Sequence, residues 1–217
     1  ETEQIEIAGQ LTAKLESLKD RLMNQSLYNG EKFTEKSEVT MVIAGRPEAG
    51  FVEYKQNLFN YLDSLNISWK YIGDIVRPVR SEEEGHYALY PDMYTMADFI
   101  LYPTGWEGFG NQLLEAFAAG LPAAVFEYPV FKEDIGPKGV QIVSLGDKTV
   151  ETANGLVQVD DEVINNAAEE MLDILGSPGK YNQISANNYE IGKRYFGFDV
   201  QRAHLKASLE WASLISE

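Results

Sequence analysis

The chain has 217 residues, 44% of them hydrophobic, and carries a formal charge of −16, with two histidines and no cysteine. That charge argues against nucleic acid and anionic membrane surfaces as partners, since both require a basic patch, and no run is long and apolar enough to span a bilayer. Disulfides are excluded, His86 and His204 fall in different predicted elements and do not suggest a metal site, and a cytoplasmic location is expected.

From the amino end, Ile5, Leu11, Leu15, Leu18 and Leu22 form one apolar face of a first helix. Val39 to Ala44 reads as a strand that ends in a glycine turn at Gly45, with Arg46 beside Pro47. Arg46 could reach a phosphate or be a surface arginine after a strand. Residues 51–65 repeat apolar positions at helical spacing (Tyr54, Leu58, Tyr61, Leu62, Leu65). Ser68 to Ile72 is the next strand, and the turn Gly73 to Arg77, with Ile75 at its centre, follows it.

Ala97 to Pro103 has the apolar run and terminal proline of a buried parallel strand. The loop Thr104 to Gly110 therefore leaves the strand's carboxyl end, the edge at which open α/β sheets bind ligands. A helix of about two to three turns starts at Asn111, with Leu114, Phe117 and Ala118 facing inward, and Gly120 and Pro122 end it. Its first N–H groups lack helical partners and carry the positive end of the dipole, which suits phosphate or sugar oxygens. Gly108 and Gly110 permit close approach of a ligand to the backbone. Glu107 lies just before this helix and Glu115 one turn inside it, so two carboxylates can face one ligand, and an ionised carboxylate can accept both hydrogen bonds of a vicinal diol.

Ala123 to Phe126 is a further strand. Beyond Asp160 the chain is helical, first with Val163, Ala167, Met171 and Leu175 on one face, then over 181–195 and 199–215, where Asp199 is expected to be the N-cap. Leu205, Leu209, Trp211 and Leu214 of the last helix are expected to bury against this same domain, the other option being a partner domain. The acidic runs Glu82–Glu84 and Asp160–Glu162 read as solvated surface.

The segment Glu107-Gly-Phe-Gly-Asn-Gln-Leu-Leu-Glu115-Ala resembles the signature of the donor-binding domain of retaining GT-B glycosyltransferases of family 4, glycosyl transferases group 1, the sucrose-synthase-like group. The resemblance implies that Glu107 contacts donor-sugar hydroxyls and is the candidate catalytic residue, as a positioning group rather than a covalent nucleophile. It implies that Glu115 holds the ribose and that the amides of Phe109, Gly110 and Asn111 line the sugar and diphosphate. Where the family commonly has Val-Gly-x-Gly-Pro this chain ends its strand in Gly45-Arg46-Pro47, with the second glycine absent and Arg46 beside Pro47 instead, and Ile75 stands in the nucleobase turn. No cofactor is expected; the substrate is a nucleoside-diphosphate sugar, and the expected partner is an N-terminal acceptor-binding domain of the same protein.

The implied fold is α/β, a Rossmann-like parallel sheet with helices on both faces, forming the C-terminal half of a GT-B fold. Residues 1–217 are expected to be one domain, with a core over 1–160 and C-terminal helices over 161–217. The first strand of the order 3-2-1-4-5-6 is absent, so Val39–Ala44 and Phe99–Tyr102 either pair directly or flank a gap. Family members carry an Arg and a Lys for the diphosphate just before the first helix. Glu3-Gln4 stand there, so that pair is either upstream, as expected, or replaced, and the chain alone is expected to be inactive.

Glu127-Tyr-Pro-Val-Phe-Lys-Glu-Asp134-Ile-Gly-Pro-Lys138-Gly and Asn187 to Phe196 also resemble a subgroup that builds sucrose-like or glucosylglycerate-type solutes. Two other readings stay open: another GT-B enzyme, a phosphorylase or an epimerase, and a non-catalytic Rossmann-type nucleotide-binding or interaction module.

Overall fold

The computed structural model describes residues 4–45, 52–77, 88–152 and 156–215; Arg46, the Glu82–Glu84 run and His86 lie outside them. In chain order the elements are α1 (Ile5–Leu18) with a 3-10 turn (Lys19–Leu22), β1 (Thr40–Ile43), α2 (Val52–Ser64), β2 (Ser68–Tyr71), β3 (Val76–Arg77), β4 (Ala88–Leu89) and α3 (Tyr90–Met93) with a 3-10 turn (Tyr94–Met96). There follow β5 (Ile100–Tyr102), α4 (Asn111–Ala118), β6 (Ala123–Val125), a π-turn (Phe131–Ile135) and a 3-10 turn (Gly136–Lys138), β7 (Val143–Ser144), β8 (Val150–Glu151) and β9 (Val157–Gln158). The chain closes with α5 (Asp161–Leu175), α6 (Pro178–Phe196) and α7 (Phe198–Ile215).

The architecture is α/β with parallel strands. β1 and β2 pair in parallel from Thr40↔Ser68 to Ile43↔Tyr71, and β5, β6 and β7 form a second parallel sheet in that spatial order. The short β3–β4 pair is parallel, and β8–β9 is an antiparallel hairpin that sequence patterning did not reveal. Among the described residues β1 and β5 are not hydrogen-bonded to each other, so of the two expected arrangements they flank a gap. That gap explains why β5 is less buried than its composition suggests: Ile100 and Leu101 are half-buried, whereas all three residues of β6, which has a neighbour on each side, are buried.

Alternation along β6 divides the core between two faces. Ala124 joins Val143, Ile7, Leu11, Leu15 and the inner face of α5, with Ala167, Ala168, Met171 and Leu172. Ala123 and Val125 point the other way, onto Leu113 and Phe117 of α4 and onto Tyr102, Tyr128, Phe131 and Ile135. A third cluster seats Ala8 of α1 against Met41, Ile43, Leu58 and Leu62. Leu101 borders the first and third clusters, so α1 and β5 together join the two sheets. Helix α1 comes close to α2 because Gly9 has no side chain; a Cβ there would lie 2.6 Å from Leu62 Cδ2. The opposite face of β1 stays open, with Val42 51% exposed.

Three expectations are corrected. In α4 the buried positions are Leu113, Ala116 and Phe117, while Leu114 is half-buried and Ala118 exposed, because the helix lies between the sheet and α6 and turns its Leu113 side to the strands. Asp199 is inside the first turn of α7 rather than at its N-cap; it pairs with Arg202 at 3.1 Å, and Gly197 O takes the first amides. Side-chain caps do occur at Asp160 and Ser177, which accept from the amides of Glu162 (2.8 Å) and Lys180 (3.4 Å). Burial of α7 against this domain is also overturned: Leu205, Leu209 and Trp211 are 62%, 63% and 66% exposed, since α7 meets the described residues mainly through α6. No helix among the described residues is long and apolar enough to cross a membrane.

Candidate functional site

The chain leaves β5 through buried Tyr102, Pro103 and Thr104, and re-enters regular structure at Gly110, whose φ of 94° places it in the left-handed region that favours glycine. Between them Glu107 folds back on its own loop. Its Oε1 accepts from the Phe109 amide at 3.2 Å, and its Oε2 lies 3.4 Å from the Tyr102 hydroxyl. The same hydroxyl is 3.5 Å from Gln112 Oε1, so its single proton is shared between two long contacts. The Phe109 ring meets Phe196 of α6 edge-on, with centroids 5.9 Å apart, which ties the turn to the C-terminal helices and leaves the ring 38% exposed. A side chain at Gly108 would enter open space.

Helix α4 makes its first internal bond from Leu114 N to Gly110 O, 3.1 Å. The amides of Asn111, Gln112 and Leu113 precede it and point out of the helix start, beside the Glu107 loop. One turn inside, Glu115 is exposed, and the Tyr94 hydroxyl donates to its Oε2 at 2.9 Å. Burial, followed by the Glu115 carboxylate, pushes the Tyr94 phenol well above its ordinary range, so it remains a donor. Beneath Gly110 lies Tyr128, wholly buried; desolvation and then the Glu107 charge push it up to about 12.

Other predicted positions gather at the end of the β1–β2 sheet. Gly45 O stands 2.6 Å from where a Gly73 Cβ would be, so the turn after β2 sits directly on the turn after β1. Ile75, 49% exposed, closes that turn with its amide on Ile72 O at 3.0 Å. The structure thus assembles Glu107, Gly108, Phe109, Gly110, Asn111 and Glu115 at the carboxyl end of β5, and Gly45 with Ile75 at the carboxyl end of β1 and β2. Gln4 leads from the β5 end into α1: its amide donates to Pro103 O at 2.9 Å and its side chain packs on Gly105.

Several contributors escaped the sequence reading. Tyr94, Tyr102 and Tyr128 brace the glutamates and the turn, and Trp106, 62% exposed, stands immediately before Glu107. Tyrosines in apolar runs read as core, and nothing in their spacing tells where the hydroxyls point. Glu6 is 3% exposed and accepts from Tyr54 Oη and Val157 N, both at 2.8 Å, clasping α1 to α2 and β9. An acid in a helix's first turn reads simply as a partner for the dipole.

Among the described residues no group of three or more His, Asp or Glu side chains could hold a metal. A surface depression of about 860 Å³ lies elsewhere, on the β7 side, lined among others by Phe131, Lys132, Ser144, Lys180 and Ile184. Its lysines are paired with Asp147 (2.6 Å) and Asp173 (2.7 Å), and none of the predicted site residues borders it.

The chain matches the family Glycosyl transferases group 1 over residues 84–191. It is 38% identical over 195 residues to a mannosylglucosylglycerate synthase of Thermotoga maritima, covering 90% of this chain and 42% of that protein. It is 36% identical over 198 residues to a mannosylglucosylglycerate synthase of Petrotoga mobilis, covering 91% of this chain and 45% of that protein. The chain therefore spans less than half the length of these relatives. The matched segment holds the glutamate-bearing turn, helix α4 and the β5–β6–β7 sheet, and by that segment the chain belongs to the glycosyl transferases group 1 family.

Proposed function

We propose that this chain is the donor-binding half of a hexosyltransferase that moves a hexosyl group from a nucleoside-diphosphate sugar to an acceptor with retention at the anomeric carbon. The observation that carries the reading is the placement of two carboxylates, Glu107 and Glu115, on either side of an unsatisfied helix start at the carboxyl edge of a parallel sheet. Exposed Glu115 accepts both hydroxyls of the ribose. Glu107 gives up the Phe109 amide and orients sugar hydroxyls, while the freed amide and those of Asn111 to Leu113 stabilise the departing diphosphate. Glu107 is assigned positioning and not nucleophilic attack, in keeping with a carboxylate that turns toward its own loop. The adjoining turns that carry Gly45 and Ile75 receive the base.

A chain of net charge −16 needs cations for a diphosphate, and we assign them to Arg46 and to sequence preceding Gln4. The relatives are more than twice as long as the matched segment. An acceptor-binding half of the same protein therefore belongs in this proposal, and the exposed Leu205, Leu209 and Trp211 of α7 suit the role of its contact surface. The relatives' name points to a mannosylglucosylglycerate-type glycoside as the product. That agrees with the subgroup resemblance of Glu127–Gly139. No cofactor enters this reading, and the reaction is placed in the cytoplasm.

Calorimetry on the complete polypeptide containing these residues, titrated in turn with UDP, GDP and ADP sugars, tests the proposal. Binding of one of them that is lost in Glu115→Ala supports it. Absence of binding to all of them would overturn it in favour of a non-catalytic interaction module.

A further inference from the structure

Tyr128 is the most deeply buried titratable group near the Glu107 turn, and nothing in the donor reading uses it. Its side chain is 0% exposed, and its hydroxyl has no hydrogen-bond partner among the described residues. The position of that hydroxyl is specific: a Cβ on Gly110 would lie 2.3 Å from it, so it presses against the residue that starts α4. Its ring leans on Tyr102 and Phe131, with centroids 6.0 Å away in both cases. The Tyr102 hydroxyl stands near it and also makes long contacts to Glu107 and Gln112. An unpaired buried hydroxyl destabilises the state that holds it, and a native structure that keeps one calls for an explanation, a role at the site among them. The Glu107 carboxylate is close enough for its charge to act on the Tyr128 hydroxyl. That carboxylate is held in turn by the Phe109 amide, at 3.2 Å.

We propose that Tyr128 is a positioning residue whose hydroxyl is partnered only in the donor-bound state: when the donor claims the Phe109 amide, Glu107 turns inward and accepts from the hydroxyls of Tyr128 and Tyr102. This inference rests on the donor-binding reading. Its physical content is an exchange of partners. Glu107 loses one amide donor and gains a phenol, the orphan hydroxyl is satisfied, and the carboxylate is fixed from below in the orientation that faces the sugar. Tyr102 ends β5 and Tyr128 follows the end of β6, the strand paired with β5, and both side chains are buried, so the pair is firmly placed for this task.

The test is Tyr128→Phe in the complete polypeptide, read by thermal unfolding without ligand and by calorimetry with the sugar nucleotide that the unmodified protein binds. Melting without ligand is expected to be unchanged or raised, because an unsatisfied group is removed. Donor affinity is expected to fall about tenfold, the equivalent of one hydrogen bond to a carboxylate. In a Glu107→Gln background the same change should weaken the donor by less than about twofold, since the two residues act as a unit. Equal affinity in Tyr128→Phe and the unmodified protein would overturn the positioning role and leave the donor reading intact. A tenfold loss that persists in the Glu107→Gln background would overturn the route through Glu107. Failure of the unmodified protein to bind any sugar nucleotide would overturn both readings.

Discussion

Replacing Gly110 by alanine tests how the turn is held, and the structure allows its effect to be split in two. The residue sits at φ 94°, where an L side chain is strained by about 1 kcal/mol. The added methyl would also stand 2.3 Å from the Tyr128 hydroxyl, whereas Ile135 Cδ1 at 3.5 Å and Tyr128 Cζ at 3.6 Å are ordinary contacts. Pushing a wholly buried ring out of place adds roughly 1–3 kcal/mol, as overpacking does in other cores. The expected loss for Gly110→Ala is therefore about 2–4 kcal/mol in urea unfolding. Because the close contact is with the hydroxyl alone, Gly110→Ala measured in a Tyr128→Phe background should cost only the strain, about 1 kcal/mol. Unfolding of the four proteins of this cycle gives the coupling directly. A Gly110→Ala loss below about 0.5 kcal/mol, or the same loss with and without the Tyr128 hydroxyl, would refute this account of the turn.

Three further outcomes are expected. Tyr94→Phe removes the donor that braces Glu115, so sugar-nucleotide affinity measured by calorimetry should fall by about threefold to tenfold, less than in Glu115→Ala, while melting changes little. Glu6→Ala leaves the Tyr54 hydroxyl and the Val157 amide without their buried acceptor, and should destabilise the chain by about 2–4 kcal/mol in urea unfolding, with faster hydrogen exchange at Val157. Tyr128 and Tyr181 are both pushed up to about 12, chiefly by burial. A folded pKa above the unfolded value contributes stability that is full below pH 10 and is lost as pH rises toward 12. Alkaline unfolding followed by tyrosinate absorbance should fall in that window, and Tyr128→Phe should make it less steep.

Much of the candidate site was legible because it is built from local rules. Gly110 starts α4 and Gly120, at φ 75°, ends it, where the glycine and proline pattern had placed both limits. The apolar runs at 97–103 and 123–126 became β5 and β6, paired in parallel as their composition implied, with shorter limits. What failed was any inference that depended on which surface is covered. Ala118 and Leu205 are apolar at helical spacing yet exposed, and Glu6 is acidic yet buried. Spacing defines a face of a helix; only the neighbouring elements determine whether that face meets protein or water.

The same division runs through the site itself. Sequence alone determined that Glu107 and Glu115 flank the start of a helix at the carboxyl end of a strand, because strand, glycine turn and helix are adjacent in the chain and each is specified within a few residues. Only tertiary structure decided what holds them: Tyr94 is 21 positions from Glu115, and Tyr128 comes from the segment after β6 and reaches beneath Gly110. The direction of a side chain at the end of a strand is set by sheet register and by the helices packed on each face. Such contacts are non-local, so no pattern within a single segment contains them.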